Sequence, residues 1–111
     1  MQAIQNDPAQ KFRDAESMWF WFISSARLRD GIKGKRESEY RPCELIDIET
    51  LVTKLFLSGR ITRVQLEVMQ EFGERRRAPH QHIYSENAKV AHWNAAMRTL
   101  QFAASTKGWV D

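Results

Sequence analysis

Residues 45–72 read LIDIETLVTKLFLSGRITRVQLEVMQEF, two apolar-periodic runs broken once, at Ser58-Gly59-Arg60-Ile61. Upstream of the break, Leu45, Ile48, Leu51, Val52, Leu55 and Phe56 step by three and four. That spacing predicts a helix that begins between Glu44 and Asp47, ends near Ser58 and is stopped by Gly59. Downstream, Thr62-Arg63-Val64-Gln65 is a capping-box pattern. Leu66, Met69 and Phe72 continue on one face, and Gly73 closes the second helix. A joint this short predicts that the two helices are packed neighbours.

Reading outward, each flank supplies a longer helix. On the N-terminal side, Asp7 suits an N-cap, Pro8 the first helical position and Gln10 a capping box. Phe12, Ala15, Trp19, Phe22, Ile23 and Ala26 then form one stripe, which predicts a helix from about Asp7 to Asp30. Gly31 to Pro42 is charged, holds two glycines and reads as a linker. On the C-terminal side, Glu74 to Tyr84 is irregular, with Arg75, Arg76 and Arg77 extending the third helix at most until Pro79 breaks it. Ser85 suits the N-cap of a last helix that runs to about Lys107 along Val90, Trp93, Met97, Leu100 and Ala104. Gly108 sits at its C-cap, and Trp109 is placed to fold back on the last turn. The fold class expected is all-α: a compact bundle of about four helices, two long outer ones around a short central hairpin. One domain spans 1–111, with mobile linkers near 31–42 and 75–84.

Composition narrows the function classes. Charged residues make up 28% and apolar ones 42%, which excludes a disordered chain. The single Cys43 excludes an internal disulfide framework and a cysteine-based zinc site. The apolar run Met18 to Ile23 is too short to span a bilayer, and Asp14 and Glu16 before it do not belong in a secretory leader. A cytoplasmic protein with no membrane partner is expected. No Gly-rich phosphate loop or catalytic motif is present, so neither an enzyme nor a cofactor is expected. Arg41 beside Cys43 is the one feature that would lower a thiol pKa.

Charge and aromatics give the functional leads. The formal net charge is +3, and residues 74–111 alone hold six Lys and Arg against three Asp and Glu. The central hairpin has the outline of a helix-turn-helix, whose second helix enters the major groove of duplex DNA. Its N-terminal end offers Arg60, Thr62, Arg63 and Gln65 to base edges and phosphates. Arg75, Arg76 and Arg77, with Lys33, Lys35 and Arg36 in the first linker, are the expected phosphate contacts. Glu67, Glu71 and Glu74 on the same helix oppose that reading, and a plain hairpin completing the core has the same outline. The block Met18-Trp19-Phe20-Trp21-Phe22-Ile23 is apolar on more than one helical side. Either this helix is central and covered all round, or Phe20, Trp21 and Leu28 face a partner, most simply a second copy of the chain. That second branch gives the alternative function, a helical interaction or assembly module. His80, His82 and His92 fit no metal motif, and a ligand role for them, with Glu86 completing the site, is the weakest reading.

Overall fold

A computed structural model of the chain describes residues 10–31 and 41–111, with side chains for 10–26 and 41–111. The expected caps Asp7 and Pro8, the linker cations Lys33, Lys35 and Arg36, and the Leu28 side chain lie outside the described residues. The architecture is an all-α bundle of four helices: α1 (Ala15–Gly31), α2 (Leu45–Leu57), α3 (Arg63–Arg75) and α4 (Val90–Thr106). A short 3-10 turn, Asn87–Lys89, precedes α4. Among the described residues no helix is long and apolar enough to cross a membrane.

The start of α1 differs from expectation. Asp14 caps it: its carboxylate accepts the Ser17 N–H at 2.8 Å, and its carbonyl accepts the Met18 N–H at 3.0 Å. Phe12 lies before the helix in extended backbone. Its N–H donates to the Trp109 carbonyl, and its carbonyl accepts the Asp111 N–H, each at 3.0 Å. This isolated bridge to Val110 ties the two ends of the described chain together. Phe12 kept the helical spacing because it is buried on the same side as Ala15 and Trp19, not because it is helical.

The aromatic surplus of α1 is covered by the chain itself. Met18 and Trp19 are buried, and Phe20, Trp21, Phe22 and Ile23 are partly buried against the core. Phe20 stacks on Trp93 at 5.8 Å between ring centroids, Trp21 tilts against Phe12 at 5.2 Å, and Phe22 stacks on Trp19 at 5.3 Å. The branch with α1 at the centre describes these contacts. Phe20 and Trp21, read from the sequence as interface candidates, are half-buried, covered on one side by α4 and the N-terminal segment.

The central pair forms where the spacing placed it, with a different packing. Glu44 donates its N–H to Asp47 Oδ2 at 2.8 Å to open α2. Ile48, Leu51, Val52 and Leu55 are its buried face. Gly59, at φ 81°, lets the Arg60 N–H reach back to the Leu55 carbonyl at 2.9 Å. The predicted capping box then opens α3: Thr62 Oγ1 accepts from the Gln65 N–H at 3.1 Å, and Gln65 Oε1 accepts from the Thr62 N–H at 3.2 Å. Yet α2 and α3 diverge from their turn instead of packing along their length. α2 lies chiefly on α1, and α3 on α4 and α1. Trp19 and Phe22 of α1 line the wedge left between them.

Two helix boundaries are corrected. Gly73 does not close α3, which continues to Arg75 and ends on Arg76 in the left-handed conformation, φ 61°. The last helix starts at Val90 rather than Ser85, since residues 83–89 wind through turns that carry Glu86 inward. Its other end follows the sequence. Gly108 takes φ 79°, and the Trp109 N–H bonds back to the Ala104 carbonyl at 3.0 Å.

Gly73 serves close approach. The indole N–H of Trp19 donates to the Met69 carbonyl at 2.8 Å, and a Cβ on Gly73 would lie 2.7 Å from Trp19 Nε1 and 2.9 Å from Ile23 Cγ1. Gly73→Ala is therefore expected to destabilise the protein by about 1–3 kcal/mol through overpacking. Helix propensity alone would instead favour Ala by about 1 kcal/mol. Denaturant midpoints for wild type and variant decide it: an equal or higher midpoint for Gly73→Ala would refute the close-approach role.

Candidate nucleic-acid interface

The expected DNA contacts separate into two groups at opposite ends of α3. Lys89 of the 3-10 turn bonds Glu71 near the end of α3, while Arg60, before its start, shares a cleft with Thr99 and Phe102 of α4. α3 and α4 thus run antiparallel. The thirteen residues of α3 run from Arg63 in the first group to Arg75 in the second, a span of ~20 Å at 1.5 Å per residue.

At the C-terminal end of α3, the positive charge is largely balanced. Glu86 is 3% exposed and accepts four hydrogen bonds. Arg77 binds it as a fork, Nη1 to Oε1 at 2.9 Å and Nη2 to Oε2 at 2.6 Å. Arg75 Nη1 reaches Oε2 at 3.1 Å, and the His80 N–H reaches Oε1 at 2.9 Å. Arg75 also pairs with Glu71 at 3.1 Å, and Lys89 with the other oxygen of Glu71 at 2.9 Å. The three cations lie 5.0–5.9 Å from the centre of the Phe72 ring. The Arg77 hydrogen bonds hold the Glu86 carboxyl down at about 2, from an ordinary 4.5. Burial opposes this, and the His80 N–H and the charges of Arg77 and Arg75 reinforce it. The same contact raises the pKa of Arg77. Arg75 and Arg77, read from the sequence as phosphate contacts, thus fasten the 76–86 loop to the end of α3. Arg76 between them is exposed and makes no ion pair among the described residues.

The histidines and the cysteine show no chemical site. His80 Nδ1 accepts the His82 N–H at 3.2 Å, and their rings lie 5.3 Å apart. Glu86 is turned to the arginines, and among the described residues no three metal-ligating side chains converge. The Cys43 thiol is buried, and burial and the Asp47 charge push it up to about 11 against the weaker pull of Arg41. Cys43 is held as the thiol, the reverse of what Arg41 suggested in the sequence.

At the N-terminal end of α3, the residues divide again. Thr62 and Gln65 are spent on the capping box, leaving the Gln65 amide NH2 as a donor. Arg60 and Arg63 are exposed with no ion pair among the described residues. The outward face of α3 beyond them carries exposed Glu67, Gln70 and Glu74. α4 supplies what the sequence reading missed. From Asn87 to Val110 there is no Asp or Glu, only Lys89, Arg98 and Lys107, and from Thr50 to Leu66 only Lys54, Arg60 and Arg63. Antiparallel packing brings these two acid-free segments together. Phe102, 69% exposed, lies between them, one helical turn from Arg98 on the same face. Beside it opens a cleft of about 640 Å³ lined by Leu51, Arg60, Phe102, Ala103, Thr106, Lys107 and Trp109. Asp47 stands at the far side of this groove with Lys54, its Oδ2 occupied by the Glu44 N–H. Counting acids along the sequence would have found both segments; their juxtaposition needs the fold.

The Glu86 cluster makes a pH-dependent contribution with a definite sign. A carboxyl at about 2 when folded, against 4.5 ordinarily, stabilises fully above pH 4.5 and loses that stabilisation as pH falls toward 2. Thermal melts of wild type and Glu86→Gln are expected to lie furthest apart near pH 6 and to converge between pH 4.5 and 2; parallel curves would contradict the assignment. In comparisons with known proteins, the chain matches no family model, no curated sequence and no solved structure.

Proposed function

We propose that the chain is a small DNA-binding protein, with a helix-turn-helix-like pair, that docks on duplex DNA through the α2–α3 turn and the adjoining flank of α4. The observation that carries this reading is the set of exposed cations Arg60, Arg63, Arg98, Lys107 and Lys54 on two sequence segments that hold no acid, with Asp47 and Glu67 at the edges of the surface. All five side chains are exposed, and none forms an ion pair among the described residues. Solvated protein faces ordinarily intersperse both signs. Exposed cations without carboxylate partners favour a polyanion, whose condensed counterions are released on binding. Arg63 at the first position of α3 and the Gln65 amide are the groups left to meet base edges, and Arg60, Arg98, Lys54 and Lys107 hold phosphates. Arg76 stands at the far end of α3 as an outlying phosphate contact, while Arg75 and Arg77 serve the fold.

The interaction-module alternative rests on the Phe20, Trp21 and Leu28 side of α1, where Phe20 and Trp21 are partly buried against Trp93 and Phe12 of their own chain. Affinity for a fluorescent duplex, followed by anisotropy from 50 to 200 mM salt, tests the proposal. Each lost phosphate contact lowers the slope of log K against log[salt] by about 0.9. Arg60→Ala/Arg98→Ala is expected to lower it by about 2. Arg75→Ala/Arg77→Ala is expected to lower the melting temperature and leave the slope close to that of wild type. No binding at low salt, or equal slopes for wild type and Arg60→Ala/Arg98→Ala, would sink the reading.

A further inference from the structure

We infer that the cleft beside Phe102 receives an unpaired base, so that this surface prefers nucleic acid with bases free of the helical stack. This rests on the nucleic-acid reading above and specifies which form of the polymer the site takes. Phe102 is 69% exposed, although α4 has a buried face of Trp93, Ala96, Leu100 and Ala104 to which it does not belong. A ring this exposed gains little from the fold and offers a flat π-face to a ligand. The cleft at its side has Leu51, Ala103 and Trp109 among its lining, with Arg60 and Lys107 in the same wall. Lys107 Nζ lies 5.6 Å from the centre of the Trp109 ring. An apolar recess with an open aromatic ring and two cations matches a nucleotide in both its parts, the base plane and the phosphate. Its volume of about 640 Å³ lies within the range of small-ligand sites.

Duplex DNA hides the π-faces of its bases, and only its phosphates reach such a surface. An unpaired or bulged base presents its face at little cost, and stacking on an aromatic side chain tolerates any base. An acidic peptide would satisfy the cations but would leave the Phe102 ring and the apolar recess without a flat partner.

Anisotropy titrations of the full chain at low salt, with three probes of equal phosphate number, test the inference: a blunt duplex, the same duplex with one bulged base, and a mixed-sequence single strand. Wild type is expected to bind the bulged or single-stranded probe roughly tenfold more tightly than the duplex, the worth of one stacked base. Phe102→Ala is expected to bring that ratio to about one, and Phe102→Trp to preserve it. Circular dichroism of each variant checks that the helices persist. A ratio near one in wild type, or the same ratio in Phe102→Ala, overturns the inference while duplex binding keeps the nucleic-acid reading standing. No binding of any probe overturns both. A polyglutamate of equal charge that competes as well as the single strand reduces the site to a charge patch and also overturns the inference.

Discussion

The bundle turns on one buried hydrogen bond, the Trp19 indole N–H to the carbonyl of Met69 at 2.8 Å. That carbonyl belongs to the interior of α3. An indole reaches it only because the residue one turn later is Gly73, whose missing Cβ leaves the space the ring occupies. Without the bond, a buried N–H would be left unsatisfied at about 1–3 kcal/mol. The bond holds α1 deep against α3, and the consequences spread along the chain. A helix set that deep must be covered on its other sides, so Phe20 lies on Trp93 of α4 and Trp21 on Phe12. Phe12 in turn is fixed by backbone bonds to Trp109 and Asp111, which the cap at Gly108 brings round. The ends of the described chain close over the helix that the indole anchors.

The sequence displayed the elements better than their edges. Capping-box spacing and apolar periodicity are local, and Thr62-Gln65, the α2 face and the Gly108 turn appear where they were read. Gly73 shows where locality fails. Glycine signals a helix stop and a close approach equally well, and only the position of Trp19, fifty residues along the chain from the Met69 carbonyl it binds, separates the two. The real end of α3 falls on Arg76, a residue type that gives no hint of the left-handed conformation. The sequence suggested Asp7 as the cap of α1, where Asp14 is the cap. Phe12 extended the helical spacing toward Asp7 because burial outside a helix mimics burial on its face.

The candidate site was legible as residue types and not as roles. Thr and Gln at a helix start suit base edges and capping equally, and here the capping box takes most of their hydrogen-bonding capacity. Three successive arginines suit phosphates. Nothing in their immediate neighbourhood announces that Glu86, nine residues from Arg77, will enter the core and draw two of them in. A buried carboxylate needs partners, and a forked guanidinium is the strongest available. Of the six cations that follow Gly73, Arg75, Arg77 and Lys89 are thus spent on structure, and Arg76, Arg98 and Lys107 are not.

What remains is a division of labour along α3. At its C-terminal end, Glu71, Arg75, Arg77, Glu86 and Lys89 neutralise one another around Phe72 and fasten the following loop. At its N-terminal end, the cations have no carboxylate in their own segments, and an exposed phenylalanine lies among them. Cations on neighbouring segments repel one another, and a ring 69% exposed forgoes most of its burial. Neither feature helps the bundle fold. The first arrangement follows from the demands of a buried carboxylate, whereas the second has no counterpart inside the protein. An anionic, flat partner, as proposed, would supply that counterpart from outside.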